Sequence, residues 1–143
     1  MAGLLKKDNN IKYSPKLTDM IKSYKDLDVF KLSYDYAMDV FKLTKQFPGE
    51  EKYSLTSQIV RSSRSISANI AEGWAKRIHE NVFKNHLISA LGSSTETEVW
   101  INFAKDCEYI SEAINEQNIE RINAIGKMLN KLHNNWTTFE SNL

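Results

Sequence analysis

Cysteine occurs once, at Cys107, so no intrachain disulfide framework is possible, and the composition fits a reducing compartment. Only two prolines and five glycines interrupt 143 residues, which favours long, unbroken helices. No run of about 18 apolar residues exists, so nothing spans a membrane as a helix. The first 15 residues lack the long apolar stretch of a signal peptide, and the expectation is a cytoplasmic protein. Net charge is also nearly absent, at +1, which removes a global basic signal for nucleic acid. Metal-binding patterns are missing too. No Glu-x-x-His occurs, His79-Glu80 is not followed by a second histidine at the zinc-protease spacing, and His86 and His133 stand apart. No Gly-x-Ser-x-Gly element or Gly-rich phosphate loop is found. These absences argue against a metal site, a cofactor, a small-molecule substrate and catalytic residues.

What is present is helical periodicity in a chain long enough for one cored domain. Ser14-Pro15 reads as a helix start, with Leu17, Ile21 and Tyr24 following over about 15–24. Val29, Leu32, Tyr36, Val40 and Leu43 mark a helix over about 28–46, stopped by Pro48-Gly49. A second spans about 51–77, a third about 80–107 and a fourth about 115–139. No strand-like alternation appears. The expected fold is all-α: an antiparallel up-down-up-down four-helix bundle at 26–143, oligomeric, with an N-terminal extension at 1–25.

Helix two is unusual. Leu55, Ile59, Ile66, Ile70 and Gly73 form its core stripe, beside a polar stripe of Gln58, Ser62, Ser65, Asn69, Glu72 and Lys76. A third strip, with Val60, Ser67, Ala71 and Trp74, is small or apolar, so this helix has neighbours on more than one side. The short polar groups suit a buried hydrogen-bond layer, a solvated face or a ligand site. Gly92-Ser93-Ser94 falls in mid-helix three, where glycine costs roughly 1 kcal/mol relative to alanine. A close approach of another backbone would offset that cost. Glu96 and Glu98 follow, within reach of Arg61, Arg64 or Arg77.

Charge is segregated along the chain. Residues 1–25 carry +4, 26–54 carry −2, 55–77 carry +3 and 78–143 carry −4. Arg61, Arg64, Lys76 and Arg77 are therefore candidate nucleic-acid contacts, or partners of acids on other helices. Ser65, Asn69, Glu72, Gly73, Gly92, Ser93, Glu96 and Glu98 are candidates for assembly or for an internal polar layer.

Phe47, Pro48, Glu51, Leu55, Gln58 and Arg61 form the first part of a longer pattern. It continues through Ser65, Ile66, Asn69, Ile70, Ala71, Glu72, Gly73 and Arg77, and closes on Gly92, Ser93, Glu96 and Glu98. The pattern resembles that of the proteins encoded in intervening sequences of bacterial 23S rRNA genes, over about residues 26–139. The resemblance implies an antiparallel four-helix bundle, a homopentamer and no known catalytic residue. Accessory proteins of diversity-generating retroelements are similar in fold, and work as basic pentamers with a reverse transcriptase and its RNA. RNA or a ribonucleoprotein is accordingly the implied partner. The near-neutral charge and the acidic helices three and four depart from a strongly basic member.

Overall fold

The computed structural model describes residues 21–137, and among them the only regular structure is helical. Four long helices follow in order: α1 Asp28–Leu43, α2 Leu55–Ala75, α3 Glu80–Asp106 and α4 Glu112–Asn135. Three short 3₁₀ turns, Tyr24–Asp26, Thr44–Gln46 and Gly49–Glu51, punctuate the first half. Of the helix expected over 15–24, residues 15–20 lie outside the described residues, and 21–23 are not helical. Residues 1–20 of the expected N-terminal extension lie outside them. Ile21 and Tyr24 are partly buried and pack against the core.

Each helix boundary has a local cause. Ser23 and Asp26 form a capping box ahead of α1: the Lys25 amide donates to Ser23 Oγ at 3.2 Å and the Ser23 amide to Asp26 Oδ2 at 3.0 Å. At its far end α1 tightens into the 3₁₀ turn Thr44–Gln46, and Phe47 turns extended before Pro48. The second helix begins at Leu55, later than the expected 51, because Gly49–Glu51 forms a separate 3₁₀ turn. A Schellman arrangement ends α3: the Tyr109 amide donates to Ala104 O at 2.8 Å and the Glu108 amide to Lys105 O at 2.9 Å. Glu108 takes the left-handed position of that motif, at φ 63°, where glycine is usual. Ser111 then caps α4, accepting from the Ile114 amide at 3.2 Å. The fourth helix therefore starts three residues before the expected 115. It ends at Asn135 rather than 139, of which 138–139 lie outside the described residues.

The core is continuous across all four helices. Val29, Tyr36 and Val40 of α1 meet Ile59, Ile66 and Ile70 of α2, Phe83, Leu87 and Ile101 of α3, and Ile122, Ile125 and Leu129 of α4. Complete burial of an isoleucine such as Ile59, Ile66 or Ile70 contributes roughly 1.5–3 kcal/mol. At one end Trp74, Phe83 and Trp136 meet edge to face, with ring centroids 4.9 to 6.2 Å apart. The most extensive contact is between α2 and α3, followed by α3 with α4 and α1 with α2. Their paired residues, Ser62 with Thr97, Ser65 with Ser93 and Asn69 with His86, rise in number on α2 as they fall on α3. These two helices therefore run in opposite directions.

At the start of α2 one carboxylate fastens the adjoining turns. Ser54 Oγ donates to Glu51 Oε1, and the Tyr109 hydroxyl lies beside the same carboxylate. The Ser54 hydrogen bond, then Tyr109, holds the Glu51 pKa below its usual value. Glu51 in turn pushes the Tyr109 hydroxyl up to about 12. A depressed carboxylate contributes stability above its unfolded pKa and loses it as pH falls through the folded value. A raised tyrosine contributes below 10 and loses that contribution as pH rises toward about 12. Thermal melts of Tyr109→Phe should lie below the wild type by a constant interval at neutral pH. That interval should narrow below about pH 4 and above about pH 10. An interval independent of pH would show that Tyr109 acts through packing alone.

Candidate nucleic-acid and assembly interface

The polar stripe of α2 lies against α3. Thr97 Oγ1 donates to Ser62 Oγ at 2.9 Å, and both side chains are fully buried. Ser65 Oγ and Ser93 Oγ are 2.9 Å apart, and Asn69 Nδ2 donates to Ser65 O at 2.9 Å. The Asn69 Oδ1 oxygen lies 3.2 Å from His86 Nδ1, and Lys76 Nζ lies 3.5 Å from His86 Nε2. Glu72 joins this end through Lys76, at 3.1 Å. That hydrogen bond, followed by the Lys76 charge, lowers the Glu72 pKa. The stripe is thus a polar seam between two helices of one subunit. Its hydroxyls and amide satisfy one another, as half-buried polar groups must.

Gly73 belongs to the same seam. A Cβ placed there would stand 2.6 Å from His86 Cβ and 3.2 Å from Phe83 Cδ1. The close neighbour is α3 of the same chain. Gly92 differs: among the described residues, nothing outside its own helix turn lies within 4 Å of a Cβ placed there. Among the described residues, the close neighbour expected at a glycine in mid-α3 is therefore missing.

The two glutamates separate as well. Glu96 accepts from Arg61 Nη2, and its Oε2 also accepts from Trp100 Nε1 at 2.9 Å. Glu98 meets none of the three arginines. Two residues further along a helix is about 200° of rotation, which turns it to the other side of α3. There its charge acts with burial to raise the pKa of Tyr36, against the lowering effect of Arg121. The Tyr36 hydroxyl has no hydrogen-bond partner among the described residues, and Arg121 Cζ lies 5.0 Å over its ring.

The four candidate cations do not form one patch. Arg61 and Lys76 are about 22 Å apart along the helix, at 1.5 Å per residue. Arg61 is matched to Glu96 and Lys76 to Glu72. Arg77 stacks over Trp74 at 4.4 Å and donates to Trp74 O at 3.0 Å. Arg64 is different. Its Cζ lies 5.3 Å over the Phe41 ring, and Lys45 Nζ lies 4.2 Å over the same ring. Neither cation has a carboxylate within ion-pair distance among the described residues. Sequence analysis passed over Lys45. The spacing of 41 and 45, one helical turn, was the available signal.

Among the described residues no three His, Cys, Asp or Glu side chains converge on a point where a metal could sit. No helix among them is long and apolar enough to cross a membrane.

The family model of the 23S rRNA-intervening sequence protein matches residues 25–131. The chain belongs to that family. A similar solved structure is a protein of unknown function from the S23 ribosomal protein family of Bacteroides thetaiotaomicron. It is 31% identical, with a TM-score of 0.68, and the match covers 73% of this chain and 97% of that one. No curated protein matches. In this chain, most residues of the recognised pattern hold the helices together. Gln58 accepts from Arg61, Arg61 meets Glu96, Ser65 meets Ser93, Asn69 meets His86, and Gly73 admits α3. The pattern marks a helix–helix seam, which explains why it carries no recognisable chemistry of reaction. Sequence analysis took His86 only as an isolated histidine, although it stands seven residues before Ser93 and hence on the same face of α3.

Proposed function

We propose that this protein is a non-enzymatic, cytoplasmic, antiparallel up-down-up-down bundle that assembles as a homopentamer and binds RNA or a ribonucleoprotein. The observation that carries the binding reading is Phe41, with Arg64 and Lys45 over its ring and no acid among the described residues to neutralise them. Cations attract phosphate, and seating over the Phe41 ring holds the two of them together. Repetition around a ring turns a modest patch into a multivalent one. Membership in a family named for 23S rRNA genes supports an RNA context.

Filter binding of structured RNA across a salt series tests this. The wild type should bind at low salt and release steeply as salt rises. The double variant Arg64→Ala/Lys45→Ala should bind more weakly and with a shallower salt slope. Failure of the wild type to bind at low salt would overturn the RNA reading. A second reading, an oligomer that binds protein only, is favoured by the −4 carried by residues 78–143. It would be supported by a pull-down that returns proteins without RNA.

A further inference from the structure

We infer that the α2–α3 seam carries a proton-operated latch: neutral His86 holds the Lys76 ammonium, and a proton taken up at Nε2 makes Glu72 the partner of His86 and releases Lys76 to solvent. The inference is independent of assembly and of RNA binding. The tautomer of the ring follows from its neighbours. Asn69 Nδ2 donates to Ser65 O at 2.9 Å, and turning the amide over would set its oxygen against that carbonyl. Asn69 Oδ1 therefore faces His86 Nδ1 as an acceptor, at 3.2 Å, so Nδ1 carries the hydrogen. In the neutral ring Nε2 then keeps a lone pair. Lys76 Nζ, which can only donate, stands 3.5 Å from it.

Three groups share this corner, and their charges balance only while the imidazole is neutral. Glu72 Oε1 holds Lys76 Nζ at 3.1 Å, and Glu72 Oε2 lies 4.0 Å from His86 Nδ1. Among the described residues, Glu72 and Lys76 of α2 are the charged groups that face the imidazole. No described charged group of α1, α3 or α4 lies within ion-pair or hydrogen-bond distance of it. Once Nε2 is protonated, an imidazolium and an ammonium oppose each other across 3.5 Å, with a single carboxylate in reach of both.

Burial decides which cation moves. The His86 side chain is 18% exposed and its Cβ is seated on Gly73, so the ring cannot withdraw. Lys76 is 48% exposed on a flexible four-carbon stem, and water receives its ammonium at little cost. The less hydrated imidazolium loses more without a counter-charge, so the exposed Glu72 carboxylate turns to it. Glu72 stays anionic throughout. The Lys76 hydrogen bond, then the Lys76 charge, then His86 hold its carboxyl below the usual value. As pH falls through the range in which imidazoles take up a proton, the end of α2 gains one positive charge. It then presents Lys76 to an anion at the turn into α3.

Nuclear magnetic resonance on the full chain, with histidine and lysine side chains isotope-labelled, tests the latch. At high pH the His86 ring should show the tautomer with hydrogen on Nδ1. Through an acid titration, relaxation at Lys76 Cε should change from that of a held side chain to that of a free one. The change should share its midpoint with the His86 ring signals. Two substitutions at exposed positions, which leave the core untouched, move that midpoint in opposite directions. Lys76→Met removes the repulsion and should raise it; Glu72→Gln removes the counter-charge and should lower it, each by about half a pH unit or more. A ring with hydrogen on Nε2 at high pH would overturn the inference. So would a Lys76 side chain that is free above the midpoint or held below it, or a midpoint that either substitution leaves in place.

Discussion

Replacing Phe83 by alanine is expected to remove roughly 3–5 kcal/mol of folding stability. The ring is fully buried, with Trp136 at 4.9 Å and Trp74 at 6.2 Å, both edge to face. Its loss opens a cavity at the end of the bundle where α2, α3 and the segment after α4 converge. Two aromatic contacts, each contributing about 0.5–1.5 kcal/mol beyond area burial, disappear with it. Native domains hold only about 5–15 kcal/mol in total, so the variant should lose a large fraction of its margin. At roughly 3–4 °C per kcal/mol for a chain of this size, the melting temperature should drop by about 10–20 °C. Urea unfolding measures the free energy directly. Tyr53→Ala is the matched control: that ring is 86% exposed, and the change should stay within about 0.5 kcal/mol. A Phe83→Ala loss no larger than the control's would show that the aromatic cluster is not cooperative.

Much of the fold was legible because helical periodicity is a long-range signal. The third helix was expected over about 80–107 and spans Glu80–Asp106. The turn after it was not legible. Its Schellman geometry uses Glu108 at positive φ, and a sequence scan looks for glycine there. The Ser111 cap was correspondingly overlooked, and α4 was started too late. Within the candidate site, the reach from α2 arginine to α3 glutamate was legible for Glu96, whose partner is Arg61. Glu98 was grouped with it by proximity in sequence, although 100° per residue turns the two to different sides. The cation pair on Phe41 was half visible. Arg64 was selected by its charge, but its neighbours come from α1, and a cation over a ring has no opposite charge in the sequence to point to it.

The glycines show the same limit, and Gly73 carries the second large effect. Sequence suggests that a helical glycine admits a close neighbour, but not which neighbour. At Gly73 the neighbour is His86 of the same chain, and the clash point is its Cβ, 2.6 Å from where a new Cβ would stand. A Cβ cannot swing away as the end of a flexible side chain can, so α2 and α3 must separate or tilt. Gly73→Leu is therefore expected to destabilise the subunit itself by about 1–3 kcal/mol through overpacking, and to break the contact between Asn69 and His86. Gly73→Ala is the more searching test. In an exposed helix it would gain about 1 kcal/mol from propensity; here it should lose stability. Because the obstacle is the His86 Cβ, truncating His86 to alanine should not relieve it, whereas His86→Gly should. The double variant Gly73→Ala/His86→Gly exchanges which helix carries the gap. Its stability should exceed the sum of the two single losses by about 0.5–3 kcal/mol of coupling. A Gly73→Ala variant as stable as the wild type, or a double variant that is merely additive, would mean that α3 is not seated on Gly73.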